Sequence, residues 1–232
     1  MKRPPPRSEN GFTLIELLVV VAIIAILAGI LLPALGKAKA SARKVKCIAQ
    51  IREVSVAVNQ FAYDHENRYP GATDVSVSLD YADLGGEGNN GHWSSINKAV
   101  DRPLFQYIET LDLFECPGDR GNDNPLTANV FEDSGSSYFY ALDDSRTTGM
   151  GIEIVEDQKL TSFSALSKKV LLFEPTLFAN SDKDDSKTKW HTDVKASVLG
   201  FGDGHAALVE EDNPPYRAIP SDADERAQRD FY

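Results

Sequence analysis

Two cysteines in 232 residues, Cys47 and Cys116, are too few for a disulfide scaffold, although an oxidising compartment leaves one bridge open. Positive charge is scarce too. Lys and Arg number 24 against 35 Asp and Glu, for a net formal charge of -11. The cations are also unevenly placed. Residues 1–53 hold nine of them (Lys2, Arg3, Arg7, Lys37, Lys39, Arg43, Lys44, Lys46, Arg52) against Glu9, Glu16 and Glu53, which leaves -17 on residues 54–232. So acidic a region repels nucleic acid and attracts cations or basic surfaces. The chain also lacks a nucleophile motif and a glycine-rich phosphate loop. His191, Asp203 and His205 have no third partner at ligand spacing, so they read as structural hydrogen-bonding groups of a hairpin. These absences point away from an enzyme.

Only one long apolar run is present. Phe12 to Leu35 is interrupted by Thr13, Glu16, Gly29 and Pro33 alone. At ~1.5 Å per residue a helix over it spans about 36 Å, enough for the hydrocarbon core of a bilayer. It is longer than the ~7–15 apolar residues of a secretory signal peptide, and no A-x-A site follows it. A carboxylate at a bilayer centre costs ~2.5–3.5 kcal/mol, which makes Glu16 a functional candidate. A polar approach, "RSENG", and a glycine with no side chain to obstruct a protease place a cut between Gly11 and Phe12.

The stretch "GFTLIELLVVVAIIAILAGILLPAL" resembles the class III signal of type IV prepilins and type II secretion pseudopilins. That resemblance implies cleavage after Gly11 by a prepilin peptidase and methylation of the new N-terminal Phe12. Glu16 then becomes the fifth residue of the mature chain, and Pro33 matches the proline that commonly interrupts the family's helix. The chemistry gives Glu16 a partner. Cleavage creates an α-amino group with a reference pKa of ~7.7–8, which methylation leaves cationic. Phe12 and Glu16 are one turn apart, about 6 Å along the axis. When helices stack with an axial offset, Glu16 of one subunit meets the ammonium of the next. An unpaired charge in a low-dielectric bundle is costly, so the pair sets stagger as well as attraction. A contact with its own helix N-terminus, worth ~0.3–1 kcal/mol, is too weak to explain the placement.

What the family implies is a structural subunit of a type II secretion pseudopilus. Its partners would be further copies and other pseudopilins, the prepilin peptidase, the inner-membrane assembly platform and membrane lipid, with no nucleic acid. A type IV pilin or minor pilin, serving adhesion, motility or DNA uptake, is the near alternative. A monomeric membrane-anchored binding protein is the alternative from another class. The family's topology puts the N-terminus in the cytoplasm and the head in the periplasm. Counting cations disagrees, with three before the apolar run and five closely after it. The processing motif decides the matter, because the peptidase must reach Gly11 from the cytoplasmic side.

Beyond Pro33, Cys47, Ile51, Val54, Val58 and Phe61 follow 4-3-4-3 spacing, with Ile48, Ser55 and Ala62 beside them. This is one apolar face of a helix that "ENRYPG" should stop. The expected organisation is a leader over 1–11, a membrane or filament-core helix over 12–35 and an amphipathic stalk helix over 36–66. A β-rich head over 67–212 and a charged, proline-rich tail over 213–232 complete it. In the head, "GGEGNNG" (85–91) reads as a surface loop and "RPLFQYIETL" as a short helix opened by Pro103. "SYFYAL" (137–142) and "KVLLFEP" (169–175) read as strands, and "KASVLGFGDGHAALVE" as a hairpin turning at Asp203-Gly204. The fold class is α+β, a long helix packed on an antiparallel sheet.

The head is similar, patchily, to large pseudopilin-like proteins with a prepilin-associated H-x9-DG segment, through "FECPGD", "SYFYAL" and "WHTDVKASVLGFGDGHAALVE". Eleven residues rather than nine separate His191 from Asp203. Two readings stay open for Cys47 and Cys116: a bridge tying stalk to head, or two small buried hydrophobes. Asp182, Asp184 and Asp185 offer oxygen ligands for the structural calcium that major pseudopilins commonly hold. However, the stretch lacks the glycine and distal glutamate of an EF-hand loop, and Lys183 dilutes its charge, so a solvated acidic loop competes.

Overall fold

A computed structural model describes residues 14–71, 82–87, 94, 96, 98–108, 110–122, 127–141, 155–177, 189–191 and 195–210. The chain divides into two units between Ser41 and Ala42. In the first, the described part is entirely helical. It is the start of α1, Leu14–Asp64, which keeps Pro33 inside it. A proline there removes one backbone donor and its ring crowds the carbonyl four residues earlier, yet α1 continues through it.

The second unit begins within α1 and contains the head. The stripe forms as the spacing requires: Cys47, Ile51, Val54, Val58, Phe61, Ser55 and Ala62 are buried, and Ile48 is half-buried. Gln50 lies beside them. Its Nε2 donates to the carbonyls of Asp112 and Glu115, both at 3.0 Å, and its Oε1 accepts from Tyr138 Oη at 3.1 Å. Polar burial here is compensated bond by bond. The helix ends at Asp64, just ahead of "ENRYPG". Glu66 and Asn67 are left-handed at φ 57° and 58°, so the chain reverses before Pro70 can act.

Among the described residues, four strands form one antiparallel sheet in sequence order: β1 Phe139–Tyr140, β2 Val170–Phe173, β3 Ala196–Phe201 and β4 Ala206–Glu210. Phe139 pairs with Phe173, Leu172 with Gly200 and Leu199 with Ala207. β2 and β3 are buried throughout, which accounts for their unbroken apolar runs, while β4 is half-exposed. Gly200 lets the sheet approach α1. A Cβ at this position would lie 2.3 Å from Ser55 Oγ and 2.7 Å from Ile51 Cγ2.

The hairpin between β3 and β4 turns through three residues, Gly202–Gly204, instead of Asp203-Gly204 alone. Phe201 N donates to His205 O, Gly204 N donates to Phe201 O, and only Gly204 is left-handed (φ 88°). That is the three-residue hairpin with a bulged glycine, which asks nothing unusual of Asp203.

Two expectations for the head take a more specific form in the structure. The short helix opened by Pro103 is a 3-10 turn of four residues, Pro103–Gln106, followed by another at Leu111–Phe114. Of the loop expected over 85–91, Gly85 and Gly86 are buried, Glu87 is exposed, and 88–91 lie outside the described residues. Gly85 turns its carbonyl to the buried guanidinium of Arg102. Its Nη1 donates to the carbonyls of Ala82 (2.8 Å) and Gly85 (2.5 Å), and its Nη2 to Ser94 Oγ (2.7 Å) and Ser134 O (3.0 Å). The Asp83 carboxylate stands 3.7 Å away. Burial lowers Arg102 to about 10 against the pull of Asp83, which still leaves it cationic at neutral pH. A fork of charged donors gathers the carbonyls of an irregular segment that no ladder could satisfy. Asp119 does the complementary work, accepting from Gly121 N, Val130 N, Phe131 N and Ser137 Oγ around the short helix α2, Val130–Ser134. Burial nevertheless holds its carboxyl above the usual value.

Candidate functional site

Two places in the chain carry chemistry that the fold alone does not consume. The first is the start of α1. Fifteen large aliphatic side chains between Leu14 and Leu35 are exposed, from Val20 at 48% to Leu14 at 79%. Leaving each in water instead of burying it forgoes ~1.5–3 kcal/mol, so the surface as a whole calls for cover worth tens of kcal/mol. The segment is long and apolar enough to cross a membrane. Glu16 sits in its first turn, where a carboxylate is also favoured by the helix dipole. Beyond Leu35, Lys37, Lys39, Arg43 and Lys46 are exposed and Lys44 half-exposed, a cationic collar suited to phosphate headgroups or acidic surfaces. Gly11 and Phe12 lie outside the described residues, as do Asp182, Asp184 and Asp185.

The second place is buried in the head. Of the two readings open for the cysteines, the structure takes the bridge: Cys47 on α1 and Cys116 before the Pro117 turn form a disulfide, with their Cα atoms 5.3 Å apart. It joins positions 69 residues apart in sequence, a closure worth about 4 kcal/mol in the chain-entropy account. His191 lies against it. Its Nε2 is 3.6 Å from Cys116 Sγ and 2.7 Å from Glu174 Oε1, with both the His191 and Glu174 side chains fully buried. Glu174 Oε2 accepts from Val198 N at 2.9 Å, which fixes the carboxylate at the end of β2. The sequence reading missed Glu174. The signal available was a carboxylate directly after the wholly apolar "VLLF", where a buried acid must have a partner.

His191 is not brought to Asp203 and His205. Those two bond each other, through His205 N and Nδ1 to Asp203 Oδ1, and the His205 ring stacks on Phe201 at 4.2 Å. They stabilise the hairpin turn, in keeping with the structural reading of that pair.

Residues 6–32 match the family described as the prokaryotic N-terminal methylation motif. The chain is 35% identical over 68 residues to the ComG operon protein 3 homolog of Bacillus licheniformis, a stretch covering 29% of this chain and 70% of that protein. It is 38% identical over 64 residues to type II secretion system core protein G of Aeromonas hydrophila, covering 28% and 44%. It is also 30% identical over 92 residues to fimbrial protein Q of Moraxella bovis, covering 39% and 59%. The chain thus spans about half the length of the last two relatives. No solved structure matches.

Proposed function

Because the chain belongs to the type IV pilin-like family, we propose that it is a structural pseudopilin of a type II protein secretion system. Prepilin peptidase removes residues 1–11 and methylates Phe12. The mature chain resides in the inner membrane as a single pass, its N-terminus cytoplasmic and its head periplasmic, until it is drawn with other pseudopilins into a short filament by the assembly platform. The work is mechanical, not enzymatic. One observation carries this reading: the exposed, all-round apolar start of α1 with a single carboxylate in its first turn. A lipid anchor needs the apolar surface but not the carboxylate, whereas a staggered bundle of copies uses both.

A type IV pilin or minor pilin is the second reading, favoured by the fimbrial name among the relatives. The net charge of -17 over residues 54–232 weighs against DNA as the head's partner. Intact-mass analysis of protein purified from membranes should show loss of residues 1–11 and gain of one methyl group. Co-expression with the secretion machinery should give short filaments visible by electron microscopy. A chain that still begins at Met1 where the peptidase is present would remove the processing reading. A processed chain that stays monomeric would leave a membrane-anchored binding protein.

A further inference from the structure

Four potential ligand atoms converge in the head: a sulfur each from Cys47 and Cys116, a carboxylate oxygen from Glu174 and a nitrogen from His191, all within 4.8 Å of one another. Each comes from a different segment: α1, the turn at Pro117, the end of β2 and the stretch before β3. A disulfide has no need of the other two groups. An imidazole and a carboxylate buried beside an S–S bond give up hydration and gain little from the sulfurs. Yet both are aimed. Val198 N holds Glu174 Oε2 and turns Oε1 inward, and His191 presents the same nitrogen, Nε2, to Oε1 and to Cys116 Sγ. Gly118 N donates to Cys116 Sγ at 3.3 Å, a contact that favours a thiolate over a thiol.

We propose that, when the disulfide is reduced, Cys47, Cys116, Glu174 and His191 bind one Zn²⁺ as a closed four-coordinate site. Two thiolates, an imidazole and a carboxylate make a borderline-soft set that suits zinc and not calcium or magnesium. Bonds of ~2.3 Å to sulfur and ~2.0–2.1 Å to nitrogen at a tetrahedral angle put the two ligand atoms about 3.6 Å apart. The Cys116–His191 separation already has that value. The His191–Glu174 contact widens by roughly 0.6 Å as the metal takes the place of their hydrogen bond. The chemistry balances simply. A dithiol reductant delivers two electrons and two protons to the S–S bond and is itself oxidised to a disulfide. The two new thiols then lose their protons to solvent as zinc enters. Bridge and metal are mutually exclusive, and each ties α1 to the Pro117 turn, so the cross-link persists through a change of redox state. None of this depends on the filament reading.

The test uses full-length protein in detergent, first oxidised, then reduced with a phosphine under argon, and exposed to ZnCl₂ against a competing chelator. Reduced wild type should retain one zinc per chain and the oxidised form none, and Co²⁺ in its place should give thiolate-to-metal charge-transfer absorption. Glu174→Gln and His191→Ala should each weaken zinc at least roughly tenfold. Their oxidised forms, still bridged, should keep the wild-type far-ultraviolet dichroism, which separates ligand loss from misfolding. A reduced wild type that holds no zinc overturns the site. So does zinc that persists in the Cys47→Ser/Cys116→Ser double variant, or an unchanged affinity in Glu174→Gln.

Discussion

Ile23, Ile24 and Leu27 are each more than half exposed, whereas Ile51, Val54 and Val58 on the same helix are fully buried. Residue type does not separate the two sets, since both are aliphatic; the neighbours in sequence do. Around Ile51 the apolar residues form one stripe flanked by Arg52 and Glu53, and a folded head can cover one stripe. Around Ile24 the helix is apolar on every side, which no single folded face can satisfy. The second region completes its packing within the chain. The first depends on what surrounds it, whether lipid or other copies.

The strongest way to break this comparison is to remove the feature that distinguishes the first region from a plain anchor. Glu16→Ala should leave insertion intact, because it removes a charge from an apolar segment, and should leave processing intact, because Gly11 is untouched. Assembly should be lost. Each junction would bury the Phe12 ammonium without its carboxylate, and breaking such a pair costs ~3–5 kcal/mol. Glu16→Gln should assemble poorly as well, despite its nearly unchanged shape. Subunit cross-linking and filament imaging decide the matter. Normal filaments from Glu16→Ala would reduce Glu16 to a helix-end contact and make the first region an anchor only.

A second experiment sharpens the comparison with the same substitution in both regions. Ile51→Ala should destabilise the head by ~2–5 kcal/mol, since the side chain is fully enclosed between helix and sheet and its removal leaves a cavity beside Gly200. Ile24→Ala should change head stability by no more than ~0.5 kcal/mol. Urea unfolding of detergent-solubilised protein, followed by near-ultraviolet dichroism, reads both. A comparable loss from Ile24→Ala would mean that the apolar half is coupled to the folding of the head.

How much of this was legible in the sequence follows from where the information lies. The stripe from Cys47 to Phe61 could be read because helical periodicity is local, and β3–β4 because an aspartate-glycine pair between apolar runs is local too. Arg102 could not. Nothing in "DRPLFQ" says that a guanidinium will be buried, since that depends on carbonyls at Ala82, Gly85 and Ser134 arriving around it. The burial of Gly85 was hidden for the same reason: glycine-rich composition looks the same whether the backbone faces water or a buried cation. Glu174 and His191 meet Cys116 through the sheet and its connections, across 58 and 75 residues of sequence. No spacing rule encodes such a meeting.

The smallest expected effect concerns a carboxylate of the second region. Asp203 sits in the hairpin turn, whose Gly204 comes close to Val56 of α1. Partial burial pushes its carboxyl up, but the His205 amide and imidazole outweigh this and hold it below the usual 3.8. A depressed folded-state pKa means stability that is present above the unfolded value and lost as pH falls through the folded one. The Asp203 side chain is 40% exposed, so screening limits the contribution to under about 1 kcal/mol. Asp203→Asn should therefore unfold at slightly lower urea than wild type at pH 7. The gap should close as the pH falls through the folded-state value of Asp203, below which both chains carry a neutral side chain at this position. Titrating groups that do not contact Asp203 are common to the two proteins and cancel in the difference. A gap of the same size above and below that value would mean that Asp203 serves the turn by its shape and hydrogen bond alone.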